Sequence, residues 1–534
     1  MVSGKNFIQA VKNYWKIFFL IIYPLILLPI IFVENKTANR CIYVITLMGG
    51  FWLLEILPIA ITSLMPVAVF PILGILPTKT TSKCYITEPT ALFVGSYLLG
   101  LAVQECTLHR RITYNILKLV GFSPKKLHII LTCATLFLSI FVSSITSTAL
   151  MIPIVRVTLT ELQELGICKI YKSGSFEEDE EDIYEDKRRP TKFAMGFLVS
   201  IAYASIIGNT GYFTGDTSNV DFIKTYESTT PEKMNSGVWL VFSVPYIILT
   251  IILTILWMQI FYMGLFRPNS SESQEIRIIP DDEIEQANTN IVGKLQAMGR
   301  MSFHEVSVAV CVVLAILLWF FREPVFMPGW IFHLPIQPAT VAIGIIIILF
   351  YVPRLPVCCN VFSSNEEKIP IENSPGLLLW KFVVRKVPWV LVFLIGGADA
   401  VAEGAKKSKL SDDITNGLKI FKSYSTMGAC SLVFLISIAM TQFTYNAAVS
   451  RTVMPALAEI SEETNVHPIY TMLPTFFSIS FGYLFPVSSP PIAMIADLIH
   501  MTTLEIVKIG IVVLIISYLV LMFVSFIVLS TINF

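Results

Sequence analysis

Charge is scarce in this chain, and what there is cancels. Only 14% of the 534 residues are Asp, Glu, Lys or Arg, and the 38 acidic residues balance the 38 basic ones. A soluble protein carries charge at about a quarter of its positions, and a balanced chain has no field to draw in a nucleic acid. The nine cysteines form no CxxC pair, and the six histidines add no spacing suited to zinc. The adjacent pair Cys358–Cys359 directly follows a hydrophobic span, the setting of S-palmitoylation, although two cysteines at a membrane boundary are more often incidental. HExxH, GxSxG and paired intramembrane aspartates are absent, so the sequence argues against an enzyme or an organic cofactor. No small-residue cleavage site follows Lys5, Lys12, Lys16 and the apolar run Ile17–Val33. That run reads as a retained first span with a cytoplasmic N-terminus.

Apolar residues are what the chain has. They make up 54% of it, with a mean hydropathy of +0.71, and they fall in blocks. A run of about 20 apolar residues crosses a hydrocarbon core, and continuous runs select helices over a barrel. The fold class expected is an all-α polytopic membrane protein. Spans are expected at 17–33, 41–57, 58–76, 90–106, 192–222, 237–262, 304–321, 337–353, 380–402, 467–499 and 504–530. Eleven crossings from a cytoplasmic start put the C-terminus outside. Loop 107–126, with Arg110, Arg111, Lys118, Lys125 and Lys126, fits an inner position. The acidic block FEEDEEDIYEDKRR (176–189) reads as a solvated linker, and the sequons at Asn269 and Asn35 are expected to stay unmodified.

Two apolar stretches, 127–165 and 425–460, are too long for one helix and have polar centres. Each reads as a re-entrant hairpin. SIFVSSITSTALMIP (139–153) and TQFTYNAAVSRTVMP (441–455) share a plan: a hydroxyl residue first, a proline last, small and polar residues between. Each hairpin is followed by a second interruption. In IIGNTGYFTGDTSN (206–219) the glycines Gly208, Gly211 and Gly215 unwind helix 192–222; in LFPVSSPPIAM (484–494) the prolines Pro486, Pro490 and Pro491 break helix 467–499. The chain therefore divides into a tail and first span (1–40), a first inverted repeat (41–262), a cytoplasmic linker (263–302) and a second inverted repeat (303–534). Unwound backbone exposes carbonyls to small cations, and helix N-termini offer positive dipole ends to anions. For any one of these residues, back-bonding to its own helix is an equally good account.

At these residues the chain resembles the divalent-anion/sodium symporter family, the sodium-coupled dicarboxylate, citrate and sulfate transporters that include the "I'm not dead yet" type. The likeness is carried by FWLLEILPIAITSLMPVAVFPILGIL (51–76), LHRRI (108–112), FMPGW (326–330), KVPWVLVFLIGG (386–397) and LFPVSSPP (484–491). The resemblance implies a homodimer in the plasma membrane, with a scaffold domain and a transport domain that moves by an elevator mechanism. It implies a first sodium site at Ser139, Ser143, Ser144, Asn209 and Gly211, and a second at Thr441, Thr444, Asn446 and Ser488. Substrate contacts would fall on Ser143, Ser144, Thr210, Asn446, Ser489 and Pro490.

The tips depart from the family pattern. Ser143-Ser144-Ile145 and Tyr445-Asn446-Ala447 stand where Ser-Asn-Thr is usual, Asn209 and Asp216 stand in the glycine-rich break, and Ile492 follows the adjacent prolines Pro490 and Pro491. Ile145 and Tyr445 are expected to reshape the pocket. Arg451, inside the second hairpin, is a candidate charge substitute for a bound cation. The activity implied is secondary transport of succinate-, citrate- or malate-class carboxylates, driven by sodium. A sodium-independent exchanger, a sulfate carrier and a non-transporting sensor are the alternatives.

Overall fold

The computed structural model describes residues 4–33, 36–171, 190–212, 217–230, 234–274, 276–277, 280–322, 329–330, 334, 336–355, 374–410, 413, 426–444, 446–464 and 467–531. The acidic block, Cys358–Cys359, Asn35, Asp216, Gly215 and Tyr445 lie outside these residues, as does the side chain of Arg451.

Every long element is a helix, as a chain in lipid requires. The first are α1 (Gly4–Leu27), α2 (Pro29–Phe32), α3 (Thr37–Leu54), α4 (Ile59–Ile72), α5 (Thr78–Lys83), α6 (Glu88–Glu105) and α7 (Leu108–Val120). There follow α8 (Pro124–Phe141), α9 (Ser144–Glu164), α10 (Lys192–Asn209), α11 (Thr217–Thr229), α12 (Ser236–Tyr262), α13 (Ser271–Gln274) and α14 (Asp281–Ala297). The second half runs α15 (Phe303–Phe320), α16 (Pro338–Tyr351), α17 (Trp380–Lys386), α18 (Trp389–Lys407), α19 (Thr426–Phe443) and α20 (Asn446–Thr464). It closes with α21 (Ile469–Ile479), α22 (Pro490–Leu498) and α23 (Thr503–Thr531). Among the described residues, eight helices are long and apolar enough to cross a membrane, or nine if one bent pair is a single span. That pair, α17 and α18, replaces the one span expected at 380–402 and is bent by 64°. Pro388 sits at the bend and has no N–H to continue the ladder.

Both long polar-centred stretches break where expected. Helix α8 ends at Phe141 and α9 begins at Ser144; α19 ends at Phe443 and α20 begins at Asn446. Both later interruptions are also present, with unwound chain between α10 and α11 and between α21 and α22. The packing is reciprocal. Helix α8 lies on α10 as α19 lies on α21, while α11 leans on α20 and α22 leans on α9. Each helix that follows a break is thus packed against a hairpin arm of the other half.

Buried apolar side chains separate into three clusters. One gathers α8–α12 with α19–α23, including Phe197, Trp239, Phe476 and Phe477. The others gather α3–α6 with α18, and α6 with α15–α17. Ile145 of the first tip, Val487 of the second break and Met494 of α22 belong to the second cluster.

The linker is tied down by charge. Lys294 of α14 bonds Glu161 and Glu164 of α9, both at 2.6 Å. Burial opposes the Lys294 ammonium, and the two carboxylates more than offset it, so its pKa stands above the ordinary lysine value. Arg111, from the LHRRI block, donates to Gly299 O (2.9 Å), Met298 O (3.3 Å) and Glu305. Glu305 also closes a capping box with Ser302 at the start of α15.

Close backbone approach explains two glycines. A Cβ at Gly208 would meet Leu136 O at 2.5 Å, and one at Gly510 would meet the carbonyl of Tyr483 in the second break. Gly208→Val is expected to push α10 off α8 and to lower stability by about 1–3 kcal/mol. Thermal unfolding in detergent measures this, and an unchanged midpoint would contradict the packing.

Candidate functional site: two hairpin tips and two unwound segments

The first tip is closed by hydroxyls. Ser143 caps α9, accepting from Thr146 N at 3.3 Å, and its Oγ lies 3.0 Å from Thr146 Oγ1. Thr146 in turn meets Ser96 Oγ of α6 at 2.5 Å. Ser144 opens α9 and is half-buried. Ser139 is fully buried and donates to Ser205 O of α10 at 2.5 Å. Ile145, expected to narrow a pocket, is 4% exposed and packs with the apolar cluster that holds Val487 and Ala493. A β-branched apolar side chain gains more there than against a polar cavity.

In the first break the carbonyls freed by unwinding are met by side chains. Asn219 Nδ2 donates to Asn209 O (3.0 Å) and Tyr212 O (2.8 Å). Trp239 Nε1 donates to Thr210 O (3.1 Å), and Ser243 Oγ to Gly211 O (3.1 Å). The Thr210 hydroxyl bonds back to Ile207 O at 2.8 Å. A carbonyl that accepts one bond keeps a second lone pair, so these oxygens are held in place and still able to coordinate.

The second tip is different. Thr444 Oγ1 and Asn446 Oδ1 are buried and have no hydrogen-bond partner. Asn446 is the first residue of α20. Two orphaned buried oxygens call for a proton donor or a cation. Nearby, Thr441 and Ser488 donate their protons to Ser437 O and Phe485 O, both at 2.7 Å. A hydroxyl that donates backwards presents its oxygen lone pairs forwards. Ser489 is the N-cap of α22 and Pro490 its first residue, so another helix N-terminus ends here. All of these donors are neutral oxygens, suited to a hard monovalent cation. No group of three or more His, Cys, Asp and Glu able to hold a metal occurs among the described residues.

Sequence reasoning missed four side chains that hold the breaks open: Asn219, Trp239, Ser243 and Gln442. Gln442 is 4% exposed, donates to Phe481 O at 2.7 Å and accepts from Leu484 N at 3.1 Å. Its signal was a carboxamide at the end of an apolar run, one turn before a tip. Membrane-level acids also have partners: Glu55 Oε1 accepts from Thr503 N and Oγ1 (both 2.7 Å), and Asp399 accepts from Thr87 (2.6 Å).

A cavity of ≈ 440 Å³ adjoins the second break, lined by Pro486, Ala493, Asp497 and His500 on one side and by Glu55, Leu391 and Leu394 on the other.

Paired interruptions in membrane helices are a recurring feature of secondary transporters. The profile described as "Sodium:sulfate symporter transmembrane region" matches residues 11–531, and this chain belongs to that family. It is 32% identical over 508 residues to "Protein I'm not dead yet" of Drosophila melanogaster, covering 93% of this chain and 86% of that one. It is 31% identical over 542 residues to the "Na(+)/citrate cotransporter" of Rattus norvegicus (96% and 94% covered). To the "Na(+)/dicarboxylate cotransporter 3" of Homo sapiens it is 30% identical over 549 residues (94% and 90% covered).

Asn219→Leu removes the Nδ2 donor from the carbonyls of Asn209 and Tyr212. Each hydrogen bond lost costs about 0.5–1.5 kcal/mol. The expected outcome is a lower unfolding midpoint in detergent and a raised sodium requirement for uptake; a variant equal to the parent in both would contradict the account of the break.

Proposed function

We propose that the chain carries small di- and tricarboxylates of the succinate, citrate and malate class across the plasma membrane, driven by sodium. The observation that supports this best is the pair of buried, unpartnered oxygens at the second tip, Thr444 Oγ1 and Asn446 Oδ1. A sodium ion there, supported by Thr441 and Ser488, removes the cost of orphaned acceptors and places positive charge beside an anionic substrate. The N-termini of α9, α20 and α22 turn their positive dipole ends to the carboxylates, with N–H and hydroxyl donors from Ser143, Ser144, Asn446 and Ser489 and an apolar contact from Pro490, which has no N–H. Ser139, Ser143, Ser144, Asn209 and Gly211 form the first cation site, with Thr210 on the substrate side.

In this reading the hairpins 127–165 and 425–460 are re-entrant from opposite faces, and eleven crossings leave the N-terminus inside and the C-terminus outside. Reciprocal packing of α11 on α20 and of α22 on α9 supports the inverted repeat. The separate apolar clusters support a scaffold and a transport body that shift relative to one another, in a homodimer. No covalent step is needed: cations neutralise the carboxylates, the pocket closes, and the site is carried across. Each net positive charge moved inward gains about 2.3 kcal/mol per 100 mV. Arg451, on α20, is proposed as the charge substitute for a bound cation, and Arg451→Thr is expected to change the sodium dependence of uptake.

Uptake of radiolabelled succinate, citrate and sulfate into expressing cells, with sodium or choline outside, tests the whole. Carboxylate uptake that needs sodium is expected, with Thr444→Val and Asn446→Ala raising the sodium needed at least about tenfold, roughly the loss of one cation ligand. Equal uptake in choline would identify an exchanger, uptake of sulfate alone a sulfate carrier, and binding without flux a sensor.

A further inference from the structure

We propose that Gln442 is the positioning residue of the second cation locus, locking the hairpin tip to the unwound segment so that their ligands move as one. Gln442 ends α19, two residues before Thr444 and four before Asn446. Its carboxamide donates to Phe481 O (2.7 Å) and to Ile438 O of its own helix (2.9 Å), and it accepts from Leu484 N (3.1 Å). Phe481 and Leu484 belong to the chain that leads to Ser488 and Ser489. Unwinding after α21 takes Phe481 O and Leu484 N out of the helical ladder, and Phe481 O also accepts from Tyr483 N at 2.9 Å. A carboxamide is the neutral side chain that offers a donor and an acceptor side by side to such a pair. The adjacent Phe443 ring lies 5.3 Å from that of Phe485, a second and apolar tie between the same two segments.

The first half is built otherwise. Aligning Ser139 with Thr441 puts Ile140 where Gln442 stands, and Ile140 makes only an apolar approach, within 2.9 Å of where a Cβ on Gly211 would lie. There the carbonyls are held by Asn219, Trp239 and Ser243, which all follow the break in sequence. In the second half the hairpin itself holds the break. Changes at Gln442 therefore reach the tip ligands directly.

This rests on Thr444 and Asn446 being cation ligands, and the test separates the two claims. Gln442→Leu orphans Leu484 N and leaves Phe481 O accepting from Tyr483 N alone. It is expected to raise the sodium concentration for half-maximal uptake about tenfold, with the half-maximal substrate concentration at saturating sodium unchanged. A double-mutant cycle supplies the decisive readout. A residue that acts by positioning Thr444 has nothing left to position once that ligand is removed, so Gln442→Leu is expected to add little to the sodium shift of Thr444→Val.

A Gln442→Leu protein with the parent's sodium response, or a Gln442→Leu/Thr444→Val protein whose sodium shift is the full sum of the two single shifts, would overturn the proposal. Should Gln442→Leu fail to reach the membrane, Gln442→Met decides in the same two arms. If Thr444→Val and Asn446→Ala leave sodium dependence intact, the ligand assignment has failed; if they shift it and the Gln442 variants do not, only the positioning role has.

Discussion

Backbone satisfaction in a place without water is the constraint on which this structure depends. A helix meets it internally, and each of the four interruptions gives that up. The chain then has to supply donors and acceptors from elsewhere, one side chain at a time. Asn219, Trp239, Ser243 and Gln442 do this for the two unwound segments, and Ser143 does it for the first tip. What these groups leave unmet, at Thr444 and Asn446, is where a ligand is most strongly called for.

The two halves solve the same problem with different chemistry. The first break is held from behind, by residues later in the chain, and its tip is knitted to α6 through Thr146 and Ser96. The second is held by the hairpin and leaves two oxygens bare. Erosion of the sequence pattern at Ser143-Ser144-Ile145 is matched by self-satisfied hydroxyls and a buried isoleucine, whereas the retained Asn446 keeps an unanswered acceptor. An asymmetry visible as a few letters is an asymmetry of hydrogen-bond supply.

Membrane class, helical content and all four interruptions were legible in the sequence, because apolar run length and Gly or Pro punctuation are local signals. The bend at Pro388 was legible in principle and passed over, since hydropathy over 380–402 is continuous. The reciprocal leaning of α11 on α20 and of α22 on α9 was not legible, because it joins residues more than two hundred positions apart. Of the site, the hydroxyl and amide positions were found by resemblance. Their supports were not: Trp239 reads as an apolar residue in an apolar helix, and only its indole N–H reveals its use.

Reciprocal leaning has a bearing on biogenesis. When the ribosome has made the first half, the face of α11 that will rest on α20 has no protein to cover it, and α9 still lacks α22. Early helices must therefore wait in the bilayer or beside an insertion factor until the last third of the polypeptide arrives. Premature termination in that last third would strand an inserted but unclosed half, a form cellular quality control is equipped to recognise.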